Sequence, residues 1–303
     1  MKFKFEIYQR HFKQPLRTSH GVWRIREGII ITLDSAGISS KGEIAPLPWF
    51  GSETLSEALN FCQQLKEEIS IKDIAAIPDC LPACQFAFES AWLGLSDSSS
   101  EDDFSDLNYC YLLPAGEKAL SAWHLHQAAT TFKWKIGVYP LATEIEILKQ
   151  LVDSLPPTVK LRLDANGGLD LSQAEKLLQV TDTLDAIAFV EQPLKSDRLT
   201  DMMQLARSHN TVLALDESVA SYTQLQAAYE RGWQGVYVIK APLMGFPTRL
   251  KQFCSADVDI VFSSVFETEV GRTAVLKLAR ELNHPRAVGF GVESFYQADD
   301  EKL

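Results

Sequence analysis

From residue 110 onward the chain repeats short, almost continuously apolar runs: "CYLLPAG", "FKWKIGV", "VKLRLDAN", "AIAFVEQP", "TVLALDES", "GVYVIKAP", "DIVFSSVF" and "AVGFGV". Amphipathic stretches separate them, so the pattern predicts strands and helices in alternation. Apolar runs without strict alternation suit strands covered on both faces, as a parallel sheet beneath crossover helices requires. Eight such runs predict an α/β fold, a (β/α)8-type barrel. An open doubly wound sheet is the competitor, but none of the strand-to-helix turns reads GxGxxG.

The first hundred residues are patterned differently. "KFKFEIYQ" alternates, "GIIITLDS" is a β-branched run ended by the turn signal "AGISSKG", and "GEIAPL" resumes a strand, which together predict a small antiparallel sheet over residues 2–46. "QPLRTSHGVWRIRE" and "PLPWFGSET" are too polar or too punctuated for strands and are read as exposed loops. "ETLSEALNFCQQLKEEI" and "PDCLPACQFAFESAWLGL" carry helical periodicity, the first capped near Ser52 and Thr54. The acid- and serine-rich stretch 96–106 reads as a solvated linker. These boundaries give an N-terminal α+β capping domain over 1–105, joined by the tail 293–303, and a barrel over 106–292.

Composition narrows the function. The net charge of −11 repels a phosphate backbone, and no basic cluster interleaved with aromatics offsets it, so nucleic acid is excluded as a partner. The N-terminus lacks an apolar signal core and no segment reaches membrane-span length, which predicts a cytoplasmic protein with no membrane partner. Five cysteines without CxxC spacing read as reduced, mostly buried thiols. The oligomeric state is left open, a monomer being compatible with everything above.

Candidate chemistry gathers where a barrel places its active site, at the C-terminal ends of the strands. Asp164, Glu191, Asp216 and Lys240 close four consecutive runs at separations of 27, 25 and 24 residues, one βα unit each time. Any one of these acids could be a turn or cap residue. Three at the same height on adjacent strands would repel one another unless a cation sat among them. Oxygen ligands without His or Cys select a hard ion, Mg²⁺ foremost, with Mn²⁺ as a substitute. Side-chain alternation puts Lys133 and Lys135 on one face of their strand, and Arg162 on the same face as Asp164. A partly desolvated lysine among other cations gives up its proton more easily, so one amine of the pair can act as a base while the other tunes it. A metal facing amine bases suits removal of a proton from the carbon next to a carboxylate, which makes a small-molecule carboxylate the substrate.

Taken in order, "KWK", "LRLDAN", "VEQP", "LDES", "IKAP" and "SSVFETEVG" resemble the muconate-lactonising branch of the enolase superfamily, and within it the o-succinylbenzoate synthase family. The resemblance covers essentially the whole chain. The compact length, "REG" at 26–28, "GEIAPLPWFGSET" at 42–54 and the arginine of "LRLDAN" favour the synthases. It implies a (β/α)7β barrel and a Mg²⁺-dependent syn-elimination of water from 2-succinyl-6-hydroxy-2,4-cyclohexadiene-1-carboxylate, giving o-succinylbenzoate on the way to menaquinone or phylloquinone. By the same resemblance Asp164, Glu191 and Asp216 are the metal ligands, Lys135 is the base and Lys240 stabilises the enediolate. Lys133 and Arg162 support base and substrate, Ser263 and Ser264 contact the succinyl end, and the loops at 16–26 and 47–54 form a lid. The sequence departs from the family pattern in "GFGVES" at the eighth strand, which leaves that part of the pocket unassigned. An N-acylamino acid racemase or dipeptide epimerase shares the same site, and a catalytically silent metal- or ligand-binding barrel would share the fold. The motifs alone leave these alternatives open.

Overall fold

A computed structural model describes residues 1–18, 21–97, 103–283, 285–292 and 295–296. The chain opens with a three-stranded antiparallel sheet of β1 (Lys2–Thr18), β2 (Gly21–Ser35) and β3 (Ile38–Ile44) in the order β1-β2-β3. Phe3, Ile29, Ile31, Leu33 and Ile44 bury one face of it against α1 (Leu55–Gln64), α2 (Ile71–Ala75) and α3 (Pro82–Gly94). Helix α1 starts as its sequence predicts: the Thr54 hydroxyl accepts from the Glu57 amide, and the Glu57 carboxylate accepts from the Thr54 amide at 2.7 Å.

Two N-terminal readings need correction. The stretch read as a loop across residues 14–27 is mostly strand, because β1 and β2 continue as a ribbon beyond the helix-covered core, with an irregularity between His11 and Leu16. The two strands pair with each other there from Leu16–Trp23 to Thr18–Gly21, and a ribbon outside the core tolerates polar side chains. The turn read across "AGISSKG" is only Ala36 and Gly37, at φ 50° and 84°, and β3 resumes at Ile38. Two positive φ values in a row are what a tight two-residue hairpin needs. Of the linker 96–106, residues 98–102 lie outside the described residues.

Close packing of α3 on β3 depends on Gly42. A Cβ there would collide with the Ala87 carbonyl oxygen and stand 3.2 Å from the Ala91 Cβ. Gly42→Ala is expected to cost about 1–3 kcal/mol of stability, read as a lower denaturation midpoint.

The second part is an eight-stranded, all-parallel sheet closed on itself. It is built from β4 (Tyr109–Leu113), α4 (Ala119–Ala122), β5 (Thr131–Lys135), α5 (Leu141–Ser154), β6 (Lys160–Asp164), α6 (Leu171–Thr181), β7 (Ile187–Glu191) and α7 (Leu199–Ser208). It continues through β8 (Leu213–Leu215), α8 (Tyr222–Glu230), β9 (Val236–Ile239), α9 (Pro247–Cys254), β10 (Ile260–Phe262), α10 (Glu269–Leu282) and β11 (Val288–Gly291). The strand order β10-β9-β8-β7-β6-β5-β4-β11 puts the last strand beside the first, and a Ser263–Gly289 bridge joins β11 to the end of β10. Seven strand–helix units and a final strand make a (β/α)7β barrel, with every strand within one residue of the predicted run. Among the described residues none of the five cysteines forms a disulfide, and four of them are buried.

The sheet of the first part is seated on the barrel by a buried carboxylate. Glu43, on β3, accepts from the Thr268 amide at 2.9 Å and the Gly271 amide at 2.9 Å, at the N-terminus of α10, and from the Tyr8 hydroxyl. Unpaired amides and the helix dipole make that terminus a good seat for a negative charge. In the tail, Tyr296 bridges Phe12 of β1, while residues 293–294 and 297–303 lie outside the described residues.

Candidate active site

Strand register explains why the site residues meet. Lys133 pairs with Arg162 and Lys135 with Asp164 across β5 and β6, and Asp164 pairs with Glu191 across β6 and β7. Asp216 follows the end of β8, and Lys240 follows the end of β9. All seven line one cavity of about 340 Å³ at the barrel mouth, roofed by Leu16, Trp23, Trp49 and Phe50. A larger cavity of about 610 Å³ shares Ser264, Gly291 and Val292 with it but contains none of these carboxylates or lysines. The chemistry belongs to the smaller one.

The three carboxylates are almost fully buried, at 6%, 1% and 4% exposure for Asp164, Glu191 and Asp216. Ammonium groups neutralise them. Lys133 Nζ lies 2.8 Å from Asp164 Oδ2 and 2.7 Å from Glu191 Oε1, and Lys240 Nζ is paired with Asp216 Oδ1. With the lysines drawn in among them, no three His, Cys, Asp or Glu side chains among the described residues stand ready-formed around a metal position. Among the described residues Lys135 has no ion-pair partner.

Burial opposes the charge on Lys133, but Asp164, Glu191 and Asp216 outweigh it and hold the ammonium well above the ordinary lysine range. It is therefore a fixed cation, the opposite of the lowered lysine expected of a base. Burial, with repulsion from Asp164 and Asp216, pushes Glu191 up to about 7 despite Lys133. Burial, with repulsion from Glu217 and Asp164, pushes Asp216 up to about 6 despite Lys240. Burial also works against Asp164, yet Lys133, Lys135 and Lys240 together keep it below the ordinary carboxylate range. Three buried carboxylates that repel one another offer a set of hard oxygen donors, which fits a hard divalent cation.

The supporting residues are placed less uniformly. Arg162 is 3% exposed and donates through Nη2 to the Ala287 carbonyl at 2.7 Å, so it ties β6 to the start of β11. Ser263 lines the cavity at the barrel closure. The Ser264 hydroxyl is occupied within the protein: it donates to Glu267 Oε2 at 2.9 Å and accepts from the Phe266 amide at 2.8 Å. At the unassigned eighth strand, Gly289, Gly291 and Val292 line the cavity.

Several functional neighbours escaped the sequence reading. Gln192, fully buried at φ 38°, accepts from the Asp216 amide at 3.0 Å and the Ser218 amide at 3.1 Å, locking the end of β7 to the end of β8. Asn166 donates from its amide to Asp164 Oδ1 at 3.1 Å and from Nδ2 to Glu217 Oε1 at 3.1 Å. The other Glu217 oxygen is buried without a hydrogen-bond partner among the described residues. Their signal was present in "LDAN", "VEQP" and "LDES", where each polar residue directly follows or nearly follows a strand-end acid. Arg26, 2% exposed, donates to the carbonyls of Phe266 at 3.2 Å and Pro46 at 2.9 Å, joining the β2 ribbon and the 47–54 loop to the turn after β10.

A closed parallel barrel with three strand-end carboxylates facing lysines, under a separate antiparallel sheet, is an enolase-type architecture. Residues 115–293 match the family model described as "Enolase C-terminal domain-like", and residues 8–95 match "MenC, N-terminal domain". The chain is 40% identical over 306 residues to an o-succinylbenzoate synthase of Thermosynechococcus vestitus, covering 98% of this chain and 94% of the relative. A synthase of the same name from Yersinia enterocolitica is 28% identical, over 92% of this chain and 86% of the relative. The fold matches the crystal structure of o-succinylbenzoate synthase from Thermosynechococcus elongatus BP-1, complexed with Mg in the active site. That match has a TM-score of 0.92 at 39% identity and covers 98% and 95% of the two chains. The L-Ala-D/L-Glu epimerase of Bacillus subtilis shares the fold at a TM-score of 0.81 and 20% identity, covering 99% of this chain and 91% of that one. The chain belongs to the o-succinylbenzoate synthase family of the enolase superfamily.

Proposed function

We propose that the chain is an o-succinylbenzoate synthase, a hydro-lyase that dehydrates 2-succinyl-6-hydroxy-2,4-cyclohexadiene-1-carboxylate to o-succinylbenzoate in menaquinone or phylloquinone biosynthesis. The observation that carries this reading is a buried set of three carboxylates between lysines in a chain 40% identical to a synthase over nearly its full length. In this reading residues 1–105 are the cap and 106–292 the catalytic barrel, and the enzyme works in the cytoplasm on a small-molecule carboxylate.

Asp164, Glu191 and Asp216 are the residues that would hold Mg²⁺. When bound, the ion supplies the positive charge that Lys133 and Lys240 give these carboxylates in the structure, and it polarises the carboxylate of the substrate. Lys135 takes the proton from the ring carbon that bears the carboxylate, and the electron pair spreads into that carboxylate as an enediolate. As the pair returns to the ring, the neighbouring C–O bond breaks and the hydroxyl leaves as water with the proton from Lys135, on the same face. Lys240 stabilises the enediolate charge from the other side of the cavity. Lys133 remains an ammonium next to Lys135, while Arg162, Ser263 and Ser264 shape the wall. The apolar roof of Leu16, Trp23, Trp49 and Phe50 excludes water from the intermediate.

The test is a paired assay with Mg²⁺: appearance of o-succinylbenzoate by its ultraviolet absorbance, and deuterium exchange at the α-carbon of N-succinyl amino acids. Rapid dehydration is expected. Exchange without dehydration would instead make the chain a racemase or epimerase, and neither would leave a silent barrel.

A further inference from the structure

Lys240 has a second neighbour besides Asp216. Its Nζ stands 4.0 Å from the centroid of the Phe50 ring, and its side chain is only 11% exposed. An ammonium has three N–H donors, and among the described residues Asp216 is its one hydrogen-bond partner.

The position of Phe50 is set by its own loop. Residues Pro48–Phe50 form a single 3-10 turn that ends at Gly51, in the left-handed region at φ 93°. The Ser52 hydroxyl closes the loop by accepting from the Leu47 amide at 2.7 Å. Leu47, 4% exposed, is packed with Leu243 and Val265 of the barrel, and Trp49 meets Trp23 edge-on at 5.0 Å. The ring is thus held over the ammonium by contacts on both sides of it.

We propose that Phe50 is a positioning residue for Lys240: its ring face holds the ammonium at the edge of the cavity and keeps water from it. This rests on the reading of Lys240 as the charge that stabilises the enediolate. In that reading Asp216 is committed as a metal ligand, and the ring becomes the contact that keeps the cation in place while negative charge develops opposite it. A cation over an aromatic face in a desolvated site is held strongly enough to matter to rate, and a cation already in place needs no reorganisation.

Phe50→Leu keeps an apolar cover but loses the π face, whereas Phe50→Tyr keeps both. Phe50→Leu is expected to lower kcat by between about two-fold and about thirty-fold with KM nearly unchanged, and Phe50→Tyr to retain most of the rate. Equal losses in the two variants, or a loss confined to KM, would reduce Phe50 to a plain lid and overturn the proposal. A thermal-denaturation cycle on the metal-free protein tests the contact without any activity. Phe50→Leu should lower Tm by more in the presence of Lys240 than in a Lys240→Met background, because loss of its packing on the Leu47 cluster is common to both. An equal drop in both backgrounds rejects the contact. A chain with no dehydratase activity at all would reject the proposed function while the denaturation cycle still reports on the contact.

Discussion

Replacing Lys135 by alanine is expected to abolish dehydration, with a loss on the order of 10²–10⁴ in kcat or more, while Lys240→Arg keeps a measurable fraction. The reason lies in how the three lysines at the barrel mouth are occupied. Without the metal, Lys133 is bound between Asp164 and Glu191, and those carboxylates hold it protonated. Lys240 is paired with Asp216 and covered by Phe50. Lys135 reaches the same cavity without an ion-pair partner among the described residues, which leaves it free to take and return a proton. In a one-face elimination that residue does both transfers, and Lys240 supplies only charge, a part that arginine can partly fill. A racemase needs a proton carrier on each face, so there the two substitutions would stop inversion almost equally. The measurement is single-turnover dehydration by each variant beside α-proton exchange. Near-normal dehydration by Lys135→Ala would remove it as the base and return the role to Lys240 or Lys133.

Chelation is expected to abolish activity, and added Mg²⁺ to restore it. Asp164→Asn, Glu191→Gln and Asp216→Asn should each weaken metal binding by more than the roughly 10–100-fold typical of an outer-shell partner. The affinity should also depend on pH in a defined direction. A divalent ion binds the ionised carboxylates, and burial with mutual repulsion has raised Glu191 to about 7 and Asp216 to about 6. Protons therefore compete with the metal below those values. Affinity should level off only well above pH 7, fall as the pH drops through Glu191's value, and fall more steeply once Asp216 also takes up a proton. Glu191→Gln should remove one of the two protonation steps. Calorimetric titration of the metal-free protein with MgCl₂ across this range measures both features. Full activity after exhaustive chelation, or an affinity indifferent to pH, would reject the three-carboxylate site.

Much of this protein is determined within short stretches of its sequence. Each barrel strand is an apolar run of a few residues, and its polar terminus has to lie at the mouth, because a strand buried on both faces leaves its ends as the place for charge. That is why Asp164, Glu191, Asp216 and Lys240 could be placed together from their spacing alone, and why Lys133 and Lys135 could be placed on one face. The tertiary structure decided what local periodicity cannot carry. The polar ribbon of β1 and β2 is strand because each pairs with the other, a fact absent from either segment alone. Lys133 became the fixed cation rather than a base because two acids, 31 and 58 residues further along, close on it. Glu43 found its amides 225 and 228 residues away at the start of α10, and Phe50 found Lys240 across the cavity. Such contacts depend on where closure of the barrel and docking of the sheet bring distant backbones, and a linear pattern holds no record of that until the chain has folded.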